Sequence, residues 1–131
     1  MAETPESMEH LARRVKVALE TADLAAFSDI LDANVRWGPP GDTSPPCQNR
    51  AQVLAWYQRG RASGATATVS EITVVGDRLL VGLVVSGNKD SREHGNEVLR
   101  WQLLTVRGGH VSDIVGFHRR DEAEAFAAEP K

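Results

Sequence analysis

Met8, Leu11, Ala12, Val15, Ala18 and Leu19 recur every three or four positions, which predicts an amphipathic helix. Thr4 can cap it, with Pro5 in the first turn, where a missing N–H costs nothing. Asp23 is placed to cap a second, shorter helix that carries Leu24, Phe27, Ile30 and Leu31 on one face. Ala33 to Trp37 reads as a brief strand. The stretch Gly38 to Pro46 holds four prolines and two glycines and can continue neither element, so it is a loop. Asn49 with Gln52 resembles a capping box, and Val53, Trp56 and Tyr57 supply the buried stripe of a third helix ending near Gly60 or Gly64.

The period then changes. Thr66–Val75, Arg78–Ser86, Glu97–Arg107 and Val111–His118 are rich in Val, Leu, Ile, Thr and Trp, and they predict four strands. Gly76-Asp77 and Gly108-Gly109 suit two-residue hairpins, while Gly87 to Asn96 is a longer polar loop. Asp121 to Ala128 predicts a short terminal helix. Helices followed by a meander mark an α+β domain, with helices covering one face of an antiparallel sheet. A length of 131 residues fits one such domain, spanning 1–131.

Composition narrows the partners. With 41% hydrophobic and 25% charged residues the chain is an ordinary folded protein. Fifteen basic against eighteen acidic residues give a net charge of −3, without a block of like charge, which argues against nucleic acid. Met1 to Glu9 is acidic and lacks an apolar run, and no later stretch is long enough to span a bilayer; a cytoplasmic protein without membrane contact is expected. The sole cysteine, Cys47, excludes an intrachain disulfide. It precedes the third helix, whose dipole could lower its pKa, or it is a small buried apolar residue. Glu93, His94 and Glu97 lie close in sequence but match no metal-binding signature, and no Gly-x-Ser-x-Gly elbow occurs.

The order helix, helix, strand, helix, four strands resembles the nuclear-transport-factor-2-like superfamily, in particular its SnoaL-like, polyketide cyclase-like members. Three local features carry the likeness: Asp32-Ala-Asn-Val-Arg-Trp37, Asn49-Arg-Ala-Gln-Val-Leu-Ala-Trp56, and Gly109-His-Val-Ser-Asp-Ile-Val-Gly-Phe117. The resemblance implies a cystatin-like cone, three N-terminal helices on a curved antiparallel sheet, around a hollow for a small apolar organic ligand.

Counting back from a tight Gly108-Gly109 turn sets Trp101 opposite Gly116, Leu99 opposite His118 and Leu103 opposite Ile114 on one face. Arg100 with Phe117 and Leu104 with Asp113 then share the other face. Around Gly76-Asp77, Ile72, Val74, Leu79, Val81, Leu83 and Val85 form an apolar face expected to be the concave one. By the resemblance, Trp37, Trp56, Trp101, Leu99, Ile114, Gly116 and His118 would line the hollow. His118 is the candidate acid/base, because an imidazole exchanges protons near neutral pH. Asp113 is a second candidate only if a bulge turns it inward.

The family's known machineries can be compared residue by residue. The ketosteroid-isomerase type needs a base, a tyrosine and a protonated acid where this chain has Trp37, Val15 and Trp101. The limonene-epoxide-hydrolase type needs an Arg-x-Asp pair where it has Arg100-Trp101-Gln102. Of these the SnoaL type, which requires one acid/base in a shaped cavity and neither metal nor organic cofactor, suits these residues best and implies a cyclase, isomerase or hydrolase; the alternative is a non-catalytic module that binds a ligand or docks a partner protein. Val98, Leu104, Val106, Val115 and Phe117 make the outer sheet face apolar enough to predict a homodimer, and the Gly38–Pro46 loop could act as a lid.

Overall fold

The computed structural model describes residues 8–21, 23–38, 47–62, 64–87, 95 and 97–128. In chain order these form α1 (Met8–Thr21), α2 (Leu24–Ile30), β1 (Leu31–Gly38), α3 (Arg50–Ala62), β2 (Thr66–Val75), β3 (Arg78–Ser86), β4 (Glu97–Arg107), β5 (His110–Phe117) and α4 (Arg120–Ala128). The anticipated caps form: Ala26 N–H donates to Asp23 Oδ1 at 3.1 Å, and Gln52 N–H to Asn49 Oδ1 at 2.9 Å. The Gln52 side chain departs from the box pattern, for its Oε1 accepts from Gln48 N–H at 2.7 Å. The Thr4 cap, the Gly38–Pro46 lid beyond Gly38, and Glu93 with His94 lie outside the described residues. Among the described residues no helix is long and apolar enough to cross a membrane.

The sheet has five strands in the order β1-β5-β4-β3-β2. Two details of the expectation change. Only two helices precede the first strand, with α3 following it, and the sheet is mixed because β1 runs parallel to β5. Most of the chain lies between those two strands, so no hairpin forces their direction.

The larger correction concerns register. The Gly108-Gly109 turn does pair Arg107 with His110, but the ladder slips by one residue between Thr105 and Val106, leaving Ser112 as an extra residue on β5. Ser112 Oγ donates to Thr105 O at 3.3 Å and to Asp113 Oδ2 at 3.0 Å, which satisfies the interrupted ladder. Beyond the bulge Trp101 faces Phe117, Gln102 faces Gly116 and Leu104 faces Ile114. Arg100, Gln102 and Leu104 therefore turn inward, and Leu99, Trp101 and Leu103 turn outward, the reverse of the simple count. A second bulge, at Ser70 between Val69 and Glu71, leaves Ile72, Val74, Leu79, Val81, Leu83 and Val85 on the inner face as expected.

The inner face packs against α1, α2 and α3 in a core that includes Leu11, Val15, Phe27, Val53, Leu79 and Leu104. The outer face is covered by α4, which joins Leu80, Trp101, Leu103, Phe117 and Ala123 in a second cluster. Arg78 holds the end of that helix: its Nη1 donates to Ala127 O at 3.2 Å, and its guanidinium lies 5.7 Å from the Phe126 ring. The set invoked for a homodimer is thereby divided. Leu104 and Val106 pack with the inner core, Val98 faces Val85 on that side, and Val115 and Phe117 lie in the cluster beneath α4.

Candidate functional site

Between the inner sheet face and the three helices lies an open cavity of about 1050 Å³, just above the range of roughly 300–1,000 Å³ common for small-molecule sites. One wall is aromatic. The Trp37 and Trp56 rings meet edge to face at 4.2 Å, Tyr57 stacks on Trp37 at 5.0 Å with 22° between planes, and buried Phe27 abuts Tyr57 edge-on at 5.0 Å. β1 supplies Trp37, and the exchanged backbone bonds of Trp37 with Cys47 (2.9 and 3.2 Å) fix it opposite the β5 pairing. Consecutive positions on α3 supply Trp56 and Tyr57. Such pairs contribute about 0.5–1.5 kcal/mol each beyond simple burial, so the wall is preformed.

Gly116 forms part of the floor. A Cβ there would meet only Trp37 Nε1, at 3.9 Å, so the glycine keeps space open before the indole. Beside it Tyr57 and Gln102 form a polar pair, with the phenol donating to Oε1 at 3.5 Å or accepting from Nε2 at 3.4 Å. Burial pushes the Tyr57 pKa up to about 12, an effect the Gln102 hydrogen bond partly offsets. At neutral pH the phenol is a proton-bearing donor and not a base. Burial likewise raises the Cys47 thiol, the opposite of what an activated nucleophile requires, although nearby Arg59 acts the other way.

Of the residues anticipated for the hollow, Trp37, Trp56, Gly116 and His118 border one cavity. His118, just past the end of β5, is exposed at its rim. Ile114 is buried in the core beneath and does not border the space. Trp101 adjoins the cavity along the sheet, but its indole lies on the far side: a Cβ on Gly82 would sit 2.6 Å from the ring, and the Arg120 guanidinium covers it at 5.7 Å. Leu99 shares that outward direction and is 43% exposed. Asp113 faces Thr105 in the outward row and is held by Ser112, so the bulge does not bring it inward. The slip at Ser112 reverses β4, not the end of β5.

Tyr57, Gln102, Arg59 and Arg61 border the cavity without having been anticipated as site residues. Tyr57 had a readable signal, since it follows Trp56 on the apolar stripe of α3. Gln102 had only an indirect one, because its direction depends on the bulge in β5. Among the described residues no group of three or more His, Cys, Asp or Glu is arranged to hold a metal ion.

The model of the SnoaL-like domain matches residues 12–122. No curated protein matches the chain. Solved structures share the fold at low identity. A candidate ketosteroid isomerase from Kribbella flavida aligns with TM-score 0.68 and 23% identity, over 83% of this chain and 75% of that one. A candidate polyketide cyclase from Sinorhizobium meliloti aligns at 0.64 and 22%, over 82% and 93%. An uncharacterised cystatin-fold protein from Novosphingobium aromaticivorans aligns at 0.71 and 11%, over 86% and 98%.

Proposed function

Starting from the fact that the chain belongs to the SnoaL-like domain family, we propose that its cavity binds a small, planar, largely apolar organic molecule against the Trp37–Trp56–Tyr57 wall, with His118 at the rim as the group that exchanges a proton with it. The observation that carries this reading is the wall itself. Trp56, 47% exposed, spends a large apolar surface at the mouth of an open hollow instead of in the core. The neutral Tyr57 and its partner Gln102 offer a hydrogen-bond donor to a ligand oxygen at the floor. The names of the Kribbella and Sinorhizobium neighbours are compatible with acid/base work on a fused-ring substrate. His118 supplies an imidazole of the right chemistry at the edge of that space.

Calorimetric titration with a panel of planar aromatic and terpenoid molecules tests the binding claim. At least one ligand should saturate the wild type and lose affinity in Gly116→Leu, which fills the floor; a panel bound equally well by both proteins contradicts the assignment. For a ligand that is turned over, His118→Gln should lower the rate by about a hundredfold or more. Unchanged turnover removes the imidazole from the chemistry.

A second reading, a non-catalytic carrier with the same cavity, is favoured by one observation. The single carboxylate among the described lining residues is Glu20, and its Oε2 already accepts the Val69 N–H at 3.0 Å beside the β2 bulge. Binding without turnover, unaltered in His118→Gln, would select this reading.

A further inference from the structure

Five arginines show two contrasting surroundings; Arg100 stands apart from them, for it also borders the cavity and donates to the Leu99 carbonyl at 3.2 Å. On the outer side Arg119 pairs with Asp121 at 2.9 Å, Arg120 bridges Glu71 at 2.6 Å and also holds Glu124, and Arg78 is spent on Thr105 and the end of α4. Arg59 and Arg61, in the last turn of α3, have no carboxylate partner among the described residues, although acidic residues outnumber basic ones in the chain. Arg61 Nη1 donates only to the Thr21 carbonyl, at 3.4 Å. Both arginines border the cavity. Their spacing repeats that of the aromatic wall: Arg59 follows Trp56 by three positions and Arg61 follows Tyr57 by four, the intervals that set side chains one above the other along a helix. The Arg59 and Arg61 backbone positions thus lie about 4.5 and 6 Å along the helix axis beyond those of Trp56 and Tyr57.

We infer that the ligand is an aromatic or polycyclic acid, whose apolar body lies on the Trp37–Trp56–Tyr57 wall and whose anionic head is held by Arg59 and Arg61. This rests on the small-molecule reading of the cavity and adds the chemical class to it. The head group belongs on the side of the rings toward the C-terminal end of α3, which suits a carboxylate carried on a fused-ring system. Guanidinium is the suitable donor for such a head, since its planar fork can bind a carboxylate through two parallel hydrogen bonds. The one carboxylate among the described lining residues, Glu20, accepts the Val69 N–H and makes no ion pair with either arginine. Both arginines also complement the negative end of the α3 dipole, a role that would affect stability but would not discriminate between ligands.

The test compares 2-naphthoate with 2-naphthamide, which share a ring system and differ in charge, by calorimetry on the full chain. The double variant Arg59→Gln/Arg61→Gln should weaken naphthoate by about tenfold or more, since at least one charge-assisted hydrogen bond is lost, while naphthamide affinity stays unchanged whatever the shift in unfolding midpoint. Each single variant should show part of that loss, and 0.5 M salt should mimic it in the wild type. Arg119→Gln, on the paired outer group, should change neither ligand. Naphthamide binding with an unaltered naphthoate-to-naphthamide ratio in the double variant overturns the inference while preserving the cavity as a ligand site. Failure of both probes to bind the wild type removes the underlying reading and the inference with it.

Discussion

Trp101 and Trp56 are the same side chain in opposite circumstances. Trp101 is 7% exposed, its ring pressed over Gly82 and roofed by Arg120, inside a cluster sealed by α4. Trp56 is 47% exposed and touches Trp37 and Tyr57 at the edge of an open space. Arg78, Arg119 and Arg120 are bound to carboxylates and carbonyls on the outer face, whereas Arg59 and Arg61 on α3 have no carboxylate partner among the described residues. Where both rings and charges find partners within the chain, they hold the fold. Where a ring is half exposed and the charges lack carboxylate partners among the described residues, the proposed ligand is what would complete them.

That contrast can be broken by substitution. Trp101→Ala should cost about 3–5 kcal/mol of stability, the usual range for emptying a packed aromatic site, and should leave ligand affinity in the surviving folded protein unaltered. Gly82→Ala should cost about 1–3 kcal/mol by overpacking, because its Cβ would fall 2.6 Å from the indole and 2.7 Å from Ser70 Oγ. Trp56→Ala should cost about 1–2 kcal/mol, from the loss of its two ring pairs at a half-exposed position, yet abolish binding at the aromatic wall. Denaturant unfolding beside ligand titration measures all three, and a Trp56→Ala variant as unstable as Trp101→Ala would erase the distinction.

Two titrations sharpen it. The chain has a single tyrosine, so phenolate absorbance reports Tyr57 alone and should develop near pH 12 instead of about 10. Because the folded pKa is raised, the stability linked to this phenol is fully present below about pH 10 and declines as pH rises toward 12. An ordinary midpoint would mean that the floor of the cavity is wet. On the outer face the Arg120 guanidinium, through its hydrogen bonds, holds the Glu71 carboxyl below its usual range, with Thr73 assisting. Its folded pKa is depressed, so its contribution is present above the ordinary carboxylate range and vanishes as pH falls through the folded value. Glu71→Gln should therefore narrow the stability gap from wild type below about pH 4, the smallest of these effects.

Element identity was legible because period and punctuation agreed: the Asp23 and Asn49 caps, the Gly76 turn and the strands at 66–75, 78–86 and 97–107 stand where patterning predicts them. Sheet direction for β4 was not legible. Both of its faces are covered, one by the core and one by α4, so Trp101 through Thr105 are buried in an unbroken run and alternation names no inner side. The decisive signal lay in β5. Val111 and Ile114 share the inner core at a spacing of three, which a regular strand forbids and an extra residue at Ser112 permits. Asp113 between them, on a strand otherwise apolar toward the core, is the sequence trace of that bulge. Four of the seven anticipated lining residues, Trp37, Trp56, Gly116 and His118, border the cavity because their placement does not depend on the direction of β4. Gln102 and the inward side of Arg100 were lost with it.

The indole N–H resonances of the three tryptophans, followed by two-dimensional nitrogen–proton NMR during titration with a bound ligand, test the central claim most directly. The Trp37 and Trp56 signals should shift in proportion to occupancy while the Trp101 signal stays in place. A Trp101 signal that moves as far as the other two, or three signals indifferent to a ligand that calorimetry shows to bind, would contradict the account.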